Sequence, residues 1–320
     1  MDEFTRSPEN QDWEPAPILF GDGPTADDPK VHLVLAVQVG LSLLFALFGS
    51  MLFAAIATLA GWDTSLLNGN FPADASPELR WQMRLMLGIG HFTTFLVAGF
   101  ATIMMFYKGS ASYNPSWSAY LRVQKMPSFQ LIGLALLLML VSIPLVLYTY
   151  SINKMLPIPE SWHLMEAQTD EALKGLLQMN NPLELLGNLV IIALLPAIGE
   201  ELVFRGVLQQ QLLRRMKNPW VALLVSACVF SFIHFQFEGF LPRAMLGFIL
   251  GWLYWKTQNF WVPVAAHFFN NGLQVFGQYL YGQKVSTIDF EQDIEVPWFA
   301  ALISAFMVFV VARLIYKLKD

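Results

Sequence analysis

Glu200 and Glu201 stand side by side, with Arg205 four residues on, inside a stretch that is apolar for many residues on both sides. An ionisable side chain in such a stretch costs roughly 2.5–3.5 kcal/mol on insertion scales, so each one needs a reason. Glu201 and Arg205 share a helical face and can pair. Glu200, rotated by about 100° from its neighbour, is left over. Phe230 and His234 are again four apart, as are His267 and Asn271. A carboxylate and an imidazole that converge on one water can polarise it and take its proton. A second imidazole with an amide supplies donors for a developing oxyanion. Pro263 suits the first turn of a helix and so puts His267 near an N-terminus whose dipole also favours negative charge. Water activation opposite an oxyanion hole is the equipment of amide hydrolysis.

The elements that must carry these groups are apolar helices. The chain has 320 residues, 55% hydrophobic and 13% charged, with mean hydropathy +0.48. That is too apolar for an ordinary soluble domain. The surplus falls in blocks at 33–60, 82–106, 129–150, 183–213, 219–236, 240–256, 260–281 and 297–316. The expected fold is therefore all-α, a polytopic membrane bundle of about eight transmembrane helices. Asn181-Pro182-Leu183-Glu184 and Asn218-Pro219 read as helix starts, with Glu184 in a capping role. Residues 1–32 are acidic, rich in proline and glycine, and lack the apolar core of a signal peptide, so they read as a disordered tail. Residues 33–320 form the transmembrane domain. With the tail on one side, that side carries twelve Lys and Arg against five on the other, which puts both termini in the cytoplasm of an inner (plasma) membrane protein. The single Cys228 excludes an internal disulfide and a multi-cysteine metal site. No basic patch interleaved with aromatics points to nucleic acid.

Other groups have plainer readings. Arg84 lies close enough to the start of its segment to snorkel. His91, between Gly90 and Phe92, reads as a packing or hydrogen-bonding residue. Gly247-x-x-x-Gly251 reads as close helix packing. Asp170 to Met179 reads as a short interfacial helix capped by Asp170. Counted from the facing helix ends, Glu200 and His234 lie at matching depths of roughly 20 and 22 Å, whereas His267 is shallower at roughly 10 Å.

Glu200-Glu201-x-x-x-Arg205, Phe230-x-x-x-His234 and His267-x-x-x-Asn271, in that order on successive or near-successive segments, resemble the three motifs of the CPBP intramembrane proteases, the CAAX-processing and bacteriocin-processing group. The resemblance covers about residues 183–275, within a core of 183–281. It implies an endopeptidase that depends on glutamate and needs no metal or other cofactor. Glu200 and His234 would activate water, His267 and Asn271 would hold the oxyanion, and Glu201, Arg205 and Phe230 would organise the site. The substrate implied is a membrane-tethered, lipidated or leader-bearing peptide or protein. Three rivals use the same residues: a non-catalytic peptide-binding or immunity module, a zinc-dependent membrane protease with Glu200, His234 and His267 as ligands, and a proton-relaying transporter. His-Glu-x-x-His and Gly-x-Ser-x-Gly are absent, which argues against a zincin or a serine-hydrolase elbow.

Overall fold

The computed structural model describes residues 29–62, 64–68, 71–72, 74–111, 114–287 and 295–318. The expected acidic tail falls outside the described residues up to position 28. The protein is an all-α polytopic bundle, with one short antiparallel ribbon (β1, Lys108–Ala111, and β2, Asn114–Ser116). The helices are α1 (Val31–Ala60), α2 (Pro77–Phe106), α3 (Trp117–Leu121), α4 (Phe129–Asn153), α5 (Glu160–Leu177), α6 (Pro182–Arg215), α7 (Pro219–Phe232), α8 (Phe240–Thr257), α9 (Trp261–Gly282) and α10 (Trp298–Lys317).

Each of the expected apolar segments is helical, but five of the helices, not eight, are long and apolar enough to cross a membrane: α1, α2, α4, α6 and α10. The reason is physical. With 14 residues, α7 is short of the roughly 20 needed to span the hydrocarbon core. Helices α8 and α9 carry Arg243 and Lys256, and His267, Asn270, Asn271, Gln274 and Gln278, which dilute their apolar content. The argument that an even number of spans places both termini on one side therefore lapses.

The two proline-led starts form as the local chemistry dictates. Asn181 Oδ1 accepts from the Leu183 and Glu184 amides at 3.0 Å, and Asn218 Oδ1 from the Trp220 amide at 3.0 Å. Two other readings fail. Helix α5 begins at Glu160, after Pro159, so Asp170 lies inside it rather than at its cap. Arg84 does not snorkel; it is fully buried. Its Nε donates to Asn188 Oδ1 at 2.7 Å and its Nη1 to Glu184 Oε1 at 3.1 Å. Glu184 does cap, through the Asn180 amide just before the helix, but it does more than cap. It receives Arg80 Nε at 2.9 Å and the Asn180 amide at 2.8 Å, so two arginines of α2 clasp one carboxylate of α6. A helix packed on both sides has no route to water for these groups, so pairing replaces snorkelling.

Helix α6 is 34 residues long and is widened twice, by π-turns at Leu189–Leu194 and Leu202–Gln209. Helix α2 has one at Phe92–Val97. Each wide turn rotates the residues after it relative to those before, and such turns are common at functional sites. The glycine pair of α8 packs closely against its neighbours, as its spacing predicts. A Cβ at Gly247 would stand 3.0 Å from Phe230 Cδ1, and one at Gly251 2.6 Å from Gln209 Oε1. The carbonyls of both glycines accept from α6, Gly247 from Arg205 Nη2 at 2.8 Å and Gly251 from Gln209 Nε2 at 2.9 Å.

Candidate active site

The regular turn Leu195–Glu201 ends on the two glutamates, and the second π-turn of α6 begins at the next residue. Glu201 is fully buried, and its Oε1 accepts from Arg205 Nη1 at 2.7 Å and from His267 Nδ1 at 2.8 Å. Arg205 is fixed on three sides: by Glu201, by the Gly247 carbonyl, and by the Phe230 ring, whose centroid is 4.9 Å from the guanidinium carbon. One carboxylate is thereby tied to one guanidinium and one imidazole.

Glu200 is as deeply buried but differently placed. Among the described residues it makes no hydrogen bond. His267 Nε2 lies 3.9 Å from its Oε2, and His91 Nδ1 lies 3.9 Å from its Oε1. His267 thus faces both glutamates, one through each ring nitrogen. The depth count made His267 too shallow to reach them. Direct packing of α9 against the Leu195–Glu201 turn and the first π-turn of α6 removes the mismatch, because depth along an axis does not fix where a tilted neighbour crosses.

His234 is not within a helix. Helix α7 stops at Phe232, and His234 follows in a turn where Phe235 takes a left-handed φ of 52°. Its Nδ1 lies 2.8 Å from the Phe230 carbonyl and donates to it, so Nε2 keeps its lone pair. Phe230 stands between the two imidazoles, 5.1 Å from the His234 ring and 6.1 Å from that of His267, edge to face in both cases. Asn271 is one turn beyond His267. Its Nδ2 donates to the Ile192 carbonyl in the first π-turn at 3.3 Å, and its Oδ1 accepts from Asn270 at 3.1 Å. One of its amide protons remains for another acceptor.

The turn that carries His234 is held by groups that carry no recognisable spacing. Glu166 of α5 accepts from the backbone amides of Phe237 and Glu238. Trp162 stacks on Phe237 at 3.9 Å between centroids, and Asn153 of α4 donates to the Phe237 carbonyl at 2.7 Å. Burial pushes the Glu166 carboxyl above its usual range; the backbone amide opposes that, and Glu238 and Asp170 reinforce it. His163 Nδ1 meets Glu238 Oε1 at 2.8 Å. Among the described residues, the three groups with metal-ligating atoms gathered within 4.8 Å are His163, Glu166 and Glu238, not Glu200 with His234 and His267. The sequence hides this set because Glu238 lies more than seventy residues beyond His163 and Glu166, which are themselves only three apart on α5.

An apolar cleft of about 390 Å³ opens between α1, α2 and α6, lined in part by Phe45, Leu52, Gly88, Phe92, Ile191 and Leu195. It holds none of the carboxylates, but it reaches Phe92 beside His91 and Leu195 at the start of the glutamate turn.

Three curated proteins share part of this chain. "Putative membrane peptidase YdiL" of Bacillus subtilis (strain 168) is 29% identical over 90 residues, 28% of this chain and 36% of its own length. "Uncharacterized protein YpbD" of the same organism is 32% identical over 85 residues, 25% of this chain and 40% of its own. "UPF0177 protein YxdF" of Lactococcus lactis subsp. lactis (strain IL1403) is 29% identical over 116 residues, 36% and 59% respectively. The chain thus spans between about a third and three fifths of these relatives. No solved structure matches. Residues 182–273, which carry every group placed around the two glutamates except His91, match the model of the family described as Type II CAAX prenyl endopeptidase Rce1-like.

Proposed function

We propose that the protein is an intramembrane endopeptidase that hydrolyses a peptide bond of a membrane-tethered substrate, using Glu200 as the base for water. The observation that carries this reading is the contrast between two adjacent buried carboxylates. Glu201 is tied through Oε1 to both Arg205 and His267, with its Oε2 buried, while the Glu200 carboxylate makes no hydrogen bond among the described residues and looks onto imidazoles on both sides. A structural ion pair needs one carboxylate. The second is placed for chemistry.

Water bound between Glu200 and His234 Nε2 loses a proton to Glu200 as its oxygen attacks the scissile carbonyl. The carbonyl oxygen becomes an oxyanion, accepted by His267 Nε2–H and the remaining Asn271 amide proton. For His267 to donate there while Nδ1 keeps its bond to Glu201, its ring must carry both protons, and Glu201 supplies the countercharge. Protonated Glu200 then gives its proton to the departing amine, and the C–N bond breaks. Helix α6 and its neighbours keep this polar site among apolar surfaces, and the cleft at Phe92 and Leu195 offers an apolar approach for a lipid-bound or hydrophobic portion of the substrate. The resemblance and the match over residues 182–273 support the same reaction class.

The test is mass spectrometry of membrane proteins from cells with and without this chain, scanning for altered termini. Cells with Glu200→Gln are expected to accumulate the uncut species at wild-type levels of the folded protein. If they clear it as fast as wild type, the role of Glu200 is wrong. Activity that survives strong chelation separates this mechanism from a zinc protease. Peptide binding without any cut product would identify a binding module instead.

A further inference from the structure

The family match leaves out α2, yet α2 brings a third imidazole to the glutamates. We propose that His91 is a positioning residue for Glu200: its Nδ1–H holds Oε1, so that Oε2 is left toward the water and His267. This rests on the reading of Glu200 as the base.

Four observations carry it. His91 Nδ1 lies 3.9 Å from Glu200 Oε1, while His267 Nε2 lies at the same distance from Oε2, so the carboxylate is bracketed with one imidazole to each oxygen. His91 Nδ1 is buried and has no hydrogen-bond partner among the described residues, a condition that costs free energy unless an acceptor is close. A small side-chain rotation, or one bridging water, joins it to Glu200. The ring is also held in one orientation by stacking on Phe95, with centroids 5.4 Å apart and planes 23° off parallel. Finally, the backbone is shaped to bring it there. The π-turn of α2 begins directly after His91, and it packs onto Gly199, where a Cβ would stand 3.0 Å from Phe95 Cβ and 3.4 Å from the Leu96 amide. Only a glycine beside Glu200 lets α2 come this near. Arg205 on the same helix, His234 on the following turn and Arg243 on α8 also act on Glu200 through space, so His91 is one of several groups that set its state. It is the one that addresses Oε1 at close range.

The test uses the full-length protein in nanodiscs with ¹⁵N-labelled histidine. The His91 signals are those lost in His91→Asn. They are expected to report a proton on Nδ1 and to move in Glu200→Gln. A proton on Nε2 alone, or signals unmoved by Glu200→Gln, overturns the proposal whatever the activity. Cleavage of the accumulating species supplies the second readout. His91→Phe keeps the ring shape without a donor and is expected to lower kcat about tenfold with KM unchanged. His91→Asn, whose amide nitrogen stands where Nδ1 stood, is expected to restore kcat to within about threefold, and His91→Gln is not. Equal losses in Asn and Phe would reduce His91 to a packing residue and overturn the proposal. A His91 signal that answers to Glu200 in a protein that cuts nothing would leave this contact standing and remove the protease reading instead.

Discussion

At the scale of single residues, two adjacent carboxylates are held in different ways, Glu201 by Arg205 and His267 and Glu200 by no hydrogen bond among the described residues. Arg205 is buried with one carboxylate partner, and breaking such a pair from one side leaves an uncompensated charge. Arg205→Leu is therefore expected to destabilise the protein by about 3–5 kcal/mol, read as a lower midpoint of thermal unfolding in detergent. Glu200→Gln is expected to shift that midpoint far less than Arg205→Leu, because no direct hydrogen bond among the described residues holds Glu200 and the amide oxygen of Gln can still accept from His91. A large loss in Glu200→Gln would mean that the acid is structural. The pairing of Glu201 with Arg205 could be read from a spacing of four. The sharing of the same oxygen with His267 could not, because α9 is more than sixty residues away and its approach depends on tilt.

At the scale of elements, the clamp of α5 on the turn after α7 determines where His234 stands. Glu166 accepts from two consecutive amides there, and Glu166→Ala leaves both unpaired. The expected cost is about 1–3 kcal/mol, felt locally as faster hydrogen exchange at residues 233–239. Glu166→Gln keeps a carbonyl acceptor and removes a charge that burial disfavours, so exchange should stay slow. The pH dependence has a definite sign. Burial raises the carboxyl of Glu166 in the folded state, so the folded state holds its proton more tightly than the unfolded one. The clamp is firmest below the ordinary carboxylate range and weakens as pH rises through the raised value. With the intrinsic base-catalysed rise divided out, exchange at 233–239 should accelerate over that window in wild type and lose this extra dependence in Glu166→Gln. A second contact between elements is the pair of α8 carbonyls at Gly247 and Gly251, bonded to Arg205 and Gln209. Gly247→Leu would drive a side chain into Phe230 and Ala227, push α8 off α7 and pull its carbonyls from α6. Loss of both stability and cleavage is the expected result, with α6 itself unchanged.

At the scale of the whole molecule, α2 and α6 are locked by a buried network rather than by apolar packing alone. Arg80 and Arg84 share Glu184, and Asn188 links Arg84 to the Leu176 carbonyl at the end of α5. Glu184→Ala leaves two buried guanidinium groups facing each other and is expected to abolish accumulation of folded protein, while Arg80→Met should be milder because Arg84 still neutralises the carboxylate. The distribution of charge makes a further prediction. Val34 near the start of α1 clusters with Tyr107, Leu213 and Trp255, and Ile315 near the end of α10 with Leu131 and Val262, next to Phe260 of the first cluster. The start of α1 and the end of α10 therefore lie at the end of the bundle that carries Arg122, Lys125, Arg214, Arg215 and Lys256. Under the positive-inside rule that end is expected in the cytoplasm. Reporters fused to either terminus should be active only when the reporter functions inside, and an outward signal at one of them would refute the assignment.

The sequence by itself determined the class of molecule, because an excess of apolar residues in long blocks has few solutions other than membrane helices. It also put Glu201 with Arg205 and His267 with Asn271 on one helical face, because a spacing of four does so whatever surrounds it, whereas His234 lies past the end of α7. Local starts at Asn181-Pro182 and Asn218-Pro219 were legible for the same reason: a cap is an interaction between near neighbours. What only the tertiary structure decided was the relation between helices. It joined Glu201 to His267, brought His91 to Glu200, buried Arg84 against Glu184 and assigned Glu166 to the turn of His234. Each of these pairs is far apart in the chain, and the free energy that joins them comes from close packing and hydrogen bonds between helices, which no single segment carries.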